Sequence, residues 1–265
     1  MQPSAVRKMP YASRHCAAIF ALAAGLLSCA APLPHAVPMT LQEQLQYDYE
    51  ASRGWAGEIE AKIEITHDIE VDVALRQFAE KLSKLRPALA ASPIGVLVYK
   101  NSEGKLPPSF AIPGNRIYIS RELLKQFEFE NELLAAIALE IGHLLGRHAV
   151  MRGAPSDVPK EPLAEPVPRS RVDFFSPAGI FAFNIAQRRE ATRDASRLLY
   201  EAGYDPRGLV SYLRKLQTQR VGLESGALVQ LEGTARDEMS RVPPLRNPVV
   251  RTEAFLKLQG RIKKL

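Results

Sequence analysis

Cysteine is nearly missing. Only Cys16 and Cys29 occur in 265 residues, so the chain beyond residue 28 keeps a single thiol and has no intramolecular disulfide to form. Long apolar runs are missing too. The uncharged stretch at residues 16–27 is twelve residues long, against the roughly 20 a helix needs to cross a bilayer. Acids are absent from the first 28 residues, which hold Arg7, Lys8 and Arg14. Half of the formal net charge of +6 therefore lies there, and the remaining +3 is too weak a balance to argue for nucleic acid. The last 25 residues are locally basic, with seven cations against Glu253, and read as a solvated helix face. No internal repeat is visible. What is present is a hydrophobic content of 46%, enough for one medium-sized domain with a core and too much for a disordered chain.

The N-terminus reads as an address. Arg7, Lys8 and Arg14 precede the short apolar run CAAIFALAAGLL, which is the pattern of a secretory signal peptide. The run ends in Leu26-Leu27-Ser28-Cys29. This resembles the bacterial lipobox, which implies cleavage before Cys29 and acylation of its thiol. The alternative is an ordinary signal peptide cleaved a few residues later. A lipid on Cys29 converts a soluble molecule into a membrane-anchored one. Ala30 follows the cysteine, and by resemblance to Gram-negative lipoproteins a residue other than Asp there implies the outer membrane, with the body in the periplasm.

Three parts follow from the pattern: a signal peptide at 1–28, a Pro-rich tether at 29–40 and one domain at 41–265. Within the domain the periodicity predicts helices at about 41–52, 68–86, 131–153, 176–202, 206–219 and 249–263. Strands are expected at about 58–66 (with a helix end as the alternative reading), 94–100, 110–112 and 116–120, the last two around the Pro113-Gly114-Asn115 turn. Ser120 is placed to cap a short helix. Five prolines mark 153–168 as a surface loop, and 220–245 is weakly patterned. The fold class expected is α+β, a small sheet packed beside a helical bundle.

The stretch that points to chemistry is Ala138-Leu139-Glu140-Ile141-Gly142-His143. Zinc peptidases place His-Glu-x-x-His on a helix, so that two imidazoles one turn apart bind zinc while the glutamate polarises bound water. Here the first histidine is Leu139, which has no lone pair. Around it stand Phe110-Ala-Ile-Pro-Gly, Arg116-Ile-Tyr-Ile-Ser, Asn131-Glu132-Leu-Leu-Ala, Arg147-His148-Ala-Val and Ala202-Gly-Tyr-Asp-Pro. These pieces, in this order over roughly residues 60–260, resemble the HtpX/CAAX-prenyl-protease metallopeptidase family, which implies a zincin-like fold.

The resemblance also says what has changed. The family's third zinc ligand is the first Glu of Glu-x-Glu-Ala-Asp. The matching segment reads Arg188-Arg189-Glu190-Ala191-Thr192, so the ligand has become Arg188 and the acidic partner Thr192. Val242-Pro243-Pro244 stands where the family often has His-Pro. Glu140 remains as a vestigial general base and His143 as a remnant ligand. Glu190 is a candidate metal ligand in a register that includes Asp194, displaced by two residues; that displacement turns a helix position by about 200° and faces it away.

By itself His143 reads as a hydrogen-bonded core histidine. His148, five residues on, is expected on another face, in a structural role. A buried Glu140 needs a partner, and Arg188 is the expected one, a cation standing where the metal charge would be. Guanidinium does not replace zinc as a Lewis acid. The function expected is therefore that of a catalytically inactive metallopeptidase-like envelope lipoprotein that binds extended or unfolded polypeptide in a retained groove, with no cofactor. Two alternatives stay open. One is an active zinc metalloendopeptidase of envelope quality control with an unusual ligand set. The other is a purely structural lipoprotein.

Overall fold

Helix α5 (Glu130–Leu145) runs through the middle of the molecule, and the other elements are arranged around it. It is rich in Ala and Leu, which favour helix, and every residue of its first fifteen is buried. In the computed structural model the described residues are 39–89, 93–153, 174–176, 179–218 and 225–265. Before α5 come α1 (Leu41–Ala51), α2 (Trp55–Glu60), α3 (Ile69–Ser83) and α4 (Arg121–Leu124). After it come α6 (His148–Gly153), α7 (Ile185–Glu201), α8 (Arg207–Thr218), α9 (Ser225–Ser240) and α10 (Glu253–Ile262). The signal peptide, Cys29, most of the Pro-rich tether and most of the 153–170 loop lie outside the described residues.

Four strands make one mixed sheet: β1 (Glu64–Thr66), β2 (Gly95–Lys100), β3 (Ser109–Ile112) and β4 (Arg116–Ser120), in the order β1-β2-β4-β3. The pair β2/β4 is parallel and the outer pairs are antiparallel. The fold is thus α+β, a small sheet with a helical bundle. Phe110 lies directly across from Tyr118, and their rings stack at 4.8 Å, the kind of cross-strand aromatic pair that fixes a register. Among the described residues β3 has β4 as its single partner strand, so it is an edge. It packs on α5.

The beginning of α5 is held by buried carboxylates. Glu130 accepts hydrogen bonds from the Tyr204 hydroxyl at 2.7 Å and from the Thr252 amide at 2.9 Å. Glu132 accepts from the amides of Glu128 and Phe129 at 2.8 and 3.3 Å. Negative side chains in a first helical turn satisfy amides that have no intrahelical acceptor and oppose the positive end of the helix dipole. Asn131 donates to the Asp205 carbonyl at 3.0 Å, tying in the turn before α8.

Several expected boundaries moved. The helix expected over 131–153 is two helices, broken at Gly146 and Arg147, and Arg147 adopts a left-handed φ of 54°. That conformation is unusual for a β-carbon-bearing residue. It is held by Arg147 itself, whose guanidinium clamps the buried Asp48 of α1 at 2.6 and 2.8 Å and reaches Gln44 at 2.9 Å. The helix expected to open at 176 begins at Ile185. Asn184 accepts from the Gln187 amide at 2.9 Å while the Gln187 side chain accepts from the Asn184 amide at 3.0 Å, a reciprocal cap that fixes the start. The described residues before it place Phe174, Ile180 and Phe181 in an aromatic cluster instead. Residues 55–60 are helical, so the strand expected over 58–66 shortens to three residues. The weakly patterned 220–245 stretch carries α9, which packs on α7 and α8 and is stitched to them by Arg197–Glu238 and Arg214–Glu232 ion pairs.

Candidate functional site

The site is a cleft of about 440 Å³ between the sheet edge and the bundle, lined by β3, α5, α7 and α8. Leu139, Glu140 and His143 of α5 face it, as do Ser109 and Phe110 of β3, Arg188 of α7 and Tyr212 of α8. Periodicity explains the α5 group: residues one turn apart share a face. The position of α7 depends on a glycine. A β-carbon on Gly142 would stand 2.7 Å from the Ala191 carbonyl oxygen, so only glycine lets the two helices approach this closely. That approach brings Arg188 to the cleft.

Glu140 is buried, with 4% of its surface exposed. One carboxyl oxygen accepts from the Ser109 hydroxyl at 2.6 Å, and that hydroxyl also meets the Tyr212 hydroxyl at 2.8 Å. The other oxygen has no hydrogen-bond partner. Burial pushes the carboxyl up to about 7, against the Ser109 hydrogen bond, the charge of Arg188 and the Ala111 amide, all of which favour ionisation. Desolvation exceeds all three. The same burial raises the Tyr212 and Tyr99 hydroxyls, with the charge of Glu140 adding to each.

His143 and His148 are in contact, contrary to the expectation that they occupy different faces. Their Nδ1 atoms are 2.9 Å apart. The break at Gly146 and Arg147 causes this, since the chain restarts in a new direction and turns His148 back against α5. Gly146 leaves room for it: a β-carbon there would stand 2.3 Å from the His148 ring. His148 Nε2 in turn meets Glu190 at 3.4 Å. Phe183 stacks on His143 at 4.1 Å. Burial lowers the pKa values of both imidazoles, and the mutual disfavour of a second proton beside His148 and the charge of Arg188 lower His143 further.

Arg188 does not make the expected contact pair with Glu140. Among ion pairs within 4.0 Å between described residues, none joins the two. Its Nε donates to the Phe183 carbonyl at 2.8 Å, and its guanidinium lies 5.9 Å from the centre of the Phe183 ring. The backbone at Phe183 thus sets its position. The charge still acts across the cleft, on Glu140, His143 and Tyr212 alike. Thr192 is fully buried and returns its hydroxyl to the Arg188 carbonyl at 2.7 Å. Leu139 lines the cleft wall.

Residues 80–158 match the family model of peptidase family M48. The match runs from the last turn of α3 through β2, β3, β4, α5 and α6, and so contains Leu139, Glu140, His143 and His148. The chain thus carries a metallopeptidase-like region. No curated protein matches the chain.

The M48 resemblance implies zinc, and the donors present do not fit it. Two of the three positions that would hold the metal carry Leu139 and Arg188. Among the described residues no three His, Cys, Asp or Glu side chains gather closely enough to bind a metal. His143 and His148 approach through the same ring nitrogen at hydrogen-bond distance, whereas two imidazoles on one tetrahedral zinc stand about 3.3 Å apart. Glu190 reaches the far nitrogen of His148 and not His143. The family resemblance pointed to Arg188, and Arg188 lines the cleft. Sequence reasoning missed Ser109, Tyr212 and the His143–His148 contact; the Gly146-Arg147 pair was the available signal for the last.

Proposed function

We propose that this chain is a metallopeptidase-like envelope lipoprotein that has lost peptide-bond hydrolysis and keeps the cleft to bind extended polypeptide. The observation that carries the reading is the lining of the cleft: a leucine and an arginine occupy two of the ligand positions, and His143 is engaged by His148. Catalytic zinc sites use three protein ligands and an open position. Without them Glu140, held toward its protonated form by burial, has no metal-bound water to polarise.

Support for polypeptide binding comes from β3. Ser120 donates to the Pro108 carbonyl at 2.8 Å, and residues opposite each other in an antiparallel ladder alternate between bonded and non-bonded pairs. Phe110 and Ile112 therefore bond to β4, and the backbone groups of Ser109 and Ala111 turn away from it, toward Glu140. An extended chain adding to such an edge gains main-chain hydrogen bonds. Lipid on Cys29 would hold this cleft at the outer membrane, facing the periplasm.

The test uses the purified exported chain. Expected results are less than about one tenth of an equivalent of zinc per chain and no cleavage of unfolded casein, alongside measurable binding of casein. One tightly held zinc per chain, with cleavage abolished by Glu140→Gln, would falsify the loss of catalysis.

A further inference from the structure

Away from the cleft, α10 and the turn after it carry positive charge that no neighbouring acid answers. Phe255, Leu258 and Ile262 bury one face of α10 in the core. The opposite face is exposed and holds Leu256, Lys257, Lys263 and Lys264. Lys257 and Lys264 are seven residues apart, as are Leu256 and Lys263, so they form two adjacent lines two turns long. The segment 125–129 lies alongside. Gln259 donates to the Phe127 carbonyl at 2.9 Å and Arg251 to the Glu128 carbonyl at 2.6 Å. This segment adds the exposed Lys125 and the ring of Phe129, with the Arg251 guanidinium 4.6 Å from its centre. Other exposed cations have carboxylate partners, as Lys84 has Glu80, Lys100 has Glu64 and Arg236 has Glu232. The ammonium groups of Lys125, Lys257, Lys263 and Lys264 make no ion pair or hydrogen bond with a described residue. The acids on this side are mostly engaged. Asp68 and Glu70 meet Arg261 at 2.7 and 3.6 Å, Glu122 meets Arg121 at 3.1 Å, and Glu128 meets Lys215 at 3.6 Å. Glu253, in the first turn of α10, is left against these cations.

We infer that the exposed face of α10, with residues 125–129, rests on a bilayer surface rich in anionic phospholipid. Large apolar side chains stand out among the cations: Leu256 is 47% exposed, and Ile69, next to the Asp68 that holds Arg261, is 82% exposed. A soluble acidic partner has no apolar layer to receive them. A bilayer does, with phosphates for the cations and acyl chains just beneath. The apolar stripe of α10 is already used in the core, so the helix lies on the surface and does not insert. The inference takes its bilayer from the envelope placement proposed above and is independent of what the cleft binds. The length of chain between lipid and body allows it. From Cys29 to Met39 is ten residues, a reach of at most about 35 Å. Asp48 of α1 is clamped at Arg147, just past the end of α5, and Thr252 of the α10 cap bonds Glu130 at its start. The sixteen residues of α5 span about 24 Å, less than that reach. In this pose Glu140 and the cleft stand about 15 Å along α5 from the membrane contact.

The experiment is co-sedimentation of the mature chain, residues 29–265 with Cys29→Ser so that no lipid masks the contact, with large unilamellar vesicles. Vesicles of equal parts phosphatidylglycerol and phosphatidylcholine are compared with vesicles of phosphatidylcholine alone. Binding to the anionic vesicles is expected to be about tenfold or more tighter, and the difference to shrink steeply between about 50 and 300 mM salt. Lys257→Gln, Lys263→Gln and Lys264→Gln are each expected to weaken it about fivefold, the factor for one cation near such a surface. Leu256→Ser is expected to weaken binding and leave its salt dependence in place. Equal binding to the two vesicles, or binding to neither, overturns the inference. Anionic binding that none of the three lysine variants reduces overturns the choice of face. Soluble polyglutamate bound as tightly as the anionic vesicles, with Leu256→Ser without effect on either, overturns the bilayer in favour of an acidic polypeptide. The comparison of vesicles needs no variant of the face. Failure of the lipid anchor would show separately, in the detergent partitioning of the unaltered chain.

Discussion

Glu140 meets two opposed demands, since its place in the motif is that of an ionised base and its surroundings favour a neutral acid. One hydroxyl, one amide and a cation at a distance favour the charge, yet the carboxyl is pushed from 4.5 to about 7. The consequence for stability has a definite sign. From about pH 4.5 to 7 the unfolded chain has already lost this proton and the folded chain keeps it. Folding stability therefore falls across that interval and levels off above it. Glu140→Gln removes the titration, and the variant is expected to match the parent near pH 4.5 and to exceed it above pH 7 by on the order of 3 kcal/mol. Urea unfolding at a series of pH values measures this; parallel curves for the two proteins would refute it. The buried imidazoles act in the other direction. With both pKa values lowered, His143 and His148 withdraw stability as pH drops below about 6.5, in parent and variant alike.

Among the elements, the contact of α5 with α7 matters most, because it brings Arg188 into the cleft. Gly142 makes that contact possible, with the Ala191 backbone where its side chain would be. Gly142→Ala sets two effects against each other. Alanine favours the helix by about 1 kcal/mol over glycine, but overpacking a backbone contact costs typically 1–3 kcal/mol. With the clash against main chain, overpacking prevails. A net destabilisation of about 1–2 kcal/mol is expected, read as a lower midpoint in thermal unfolding; an unchanged or raised midpoint would mean that the helices are farther apart. The join between α5 and α6 has a comparable role. Arg147, clamped on Asp48, turns the chain so that His148 meets His143. Helical periodicity alone assigns the two imidazoles to different faces, because it carries no information about where a helix stops.

For the whole molecule, the question is whether the body floats free or is held at a membrane. Among the described residues no helix is long and apolar enough to cross one; our proposal places the anchorage on a lipid at Cys29. The exported chain is expected to partition into the detergent phase of a Triton X-114 separation and to incorporate labelled palmitate. Cys29→Ser is expected to do neither. Aqueous partitioning of the unaltered chain would sink the anchor.

Local signals were sufficient for much of this protein. Short apolar runs bounded by Pro93, the loop at 104–108 and the Pro113-Gly114-Asn115 turn marked β2, β3 and β4. The Ser120 cap was legible because a capping hydrogen bond is made within a few residues, and α5 because its Ala/Leu-rich run favours helix. The family resemblance, aligned on the Ala202-Gly-Tyr-Asp-Pro turn, pointed to Arg188, which lines the cleft. The substitutions at 139, 188 and 192 could be read directly, since ligand chemistry is a property of residue type. Tertiary structure alone decided the partners. Arg188 is held by the Phe183 carbonyl instead of pairing with Glu140, Ser109 crosses from β3 to Glu140, and His148 turns back onto His143. Each of these depends on the packing of elements distant in sequence, and desolvation in the interior, which sets the charge on Glu140, exists only once those elements have closed around it.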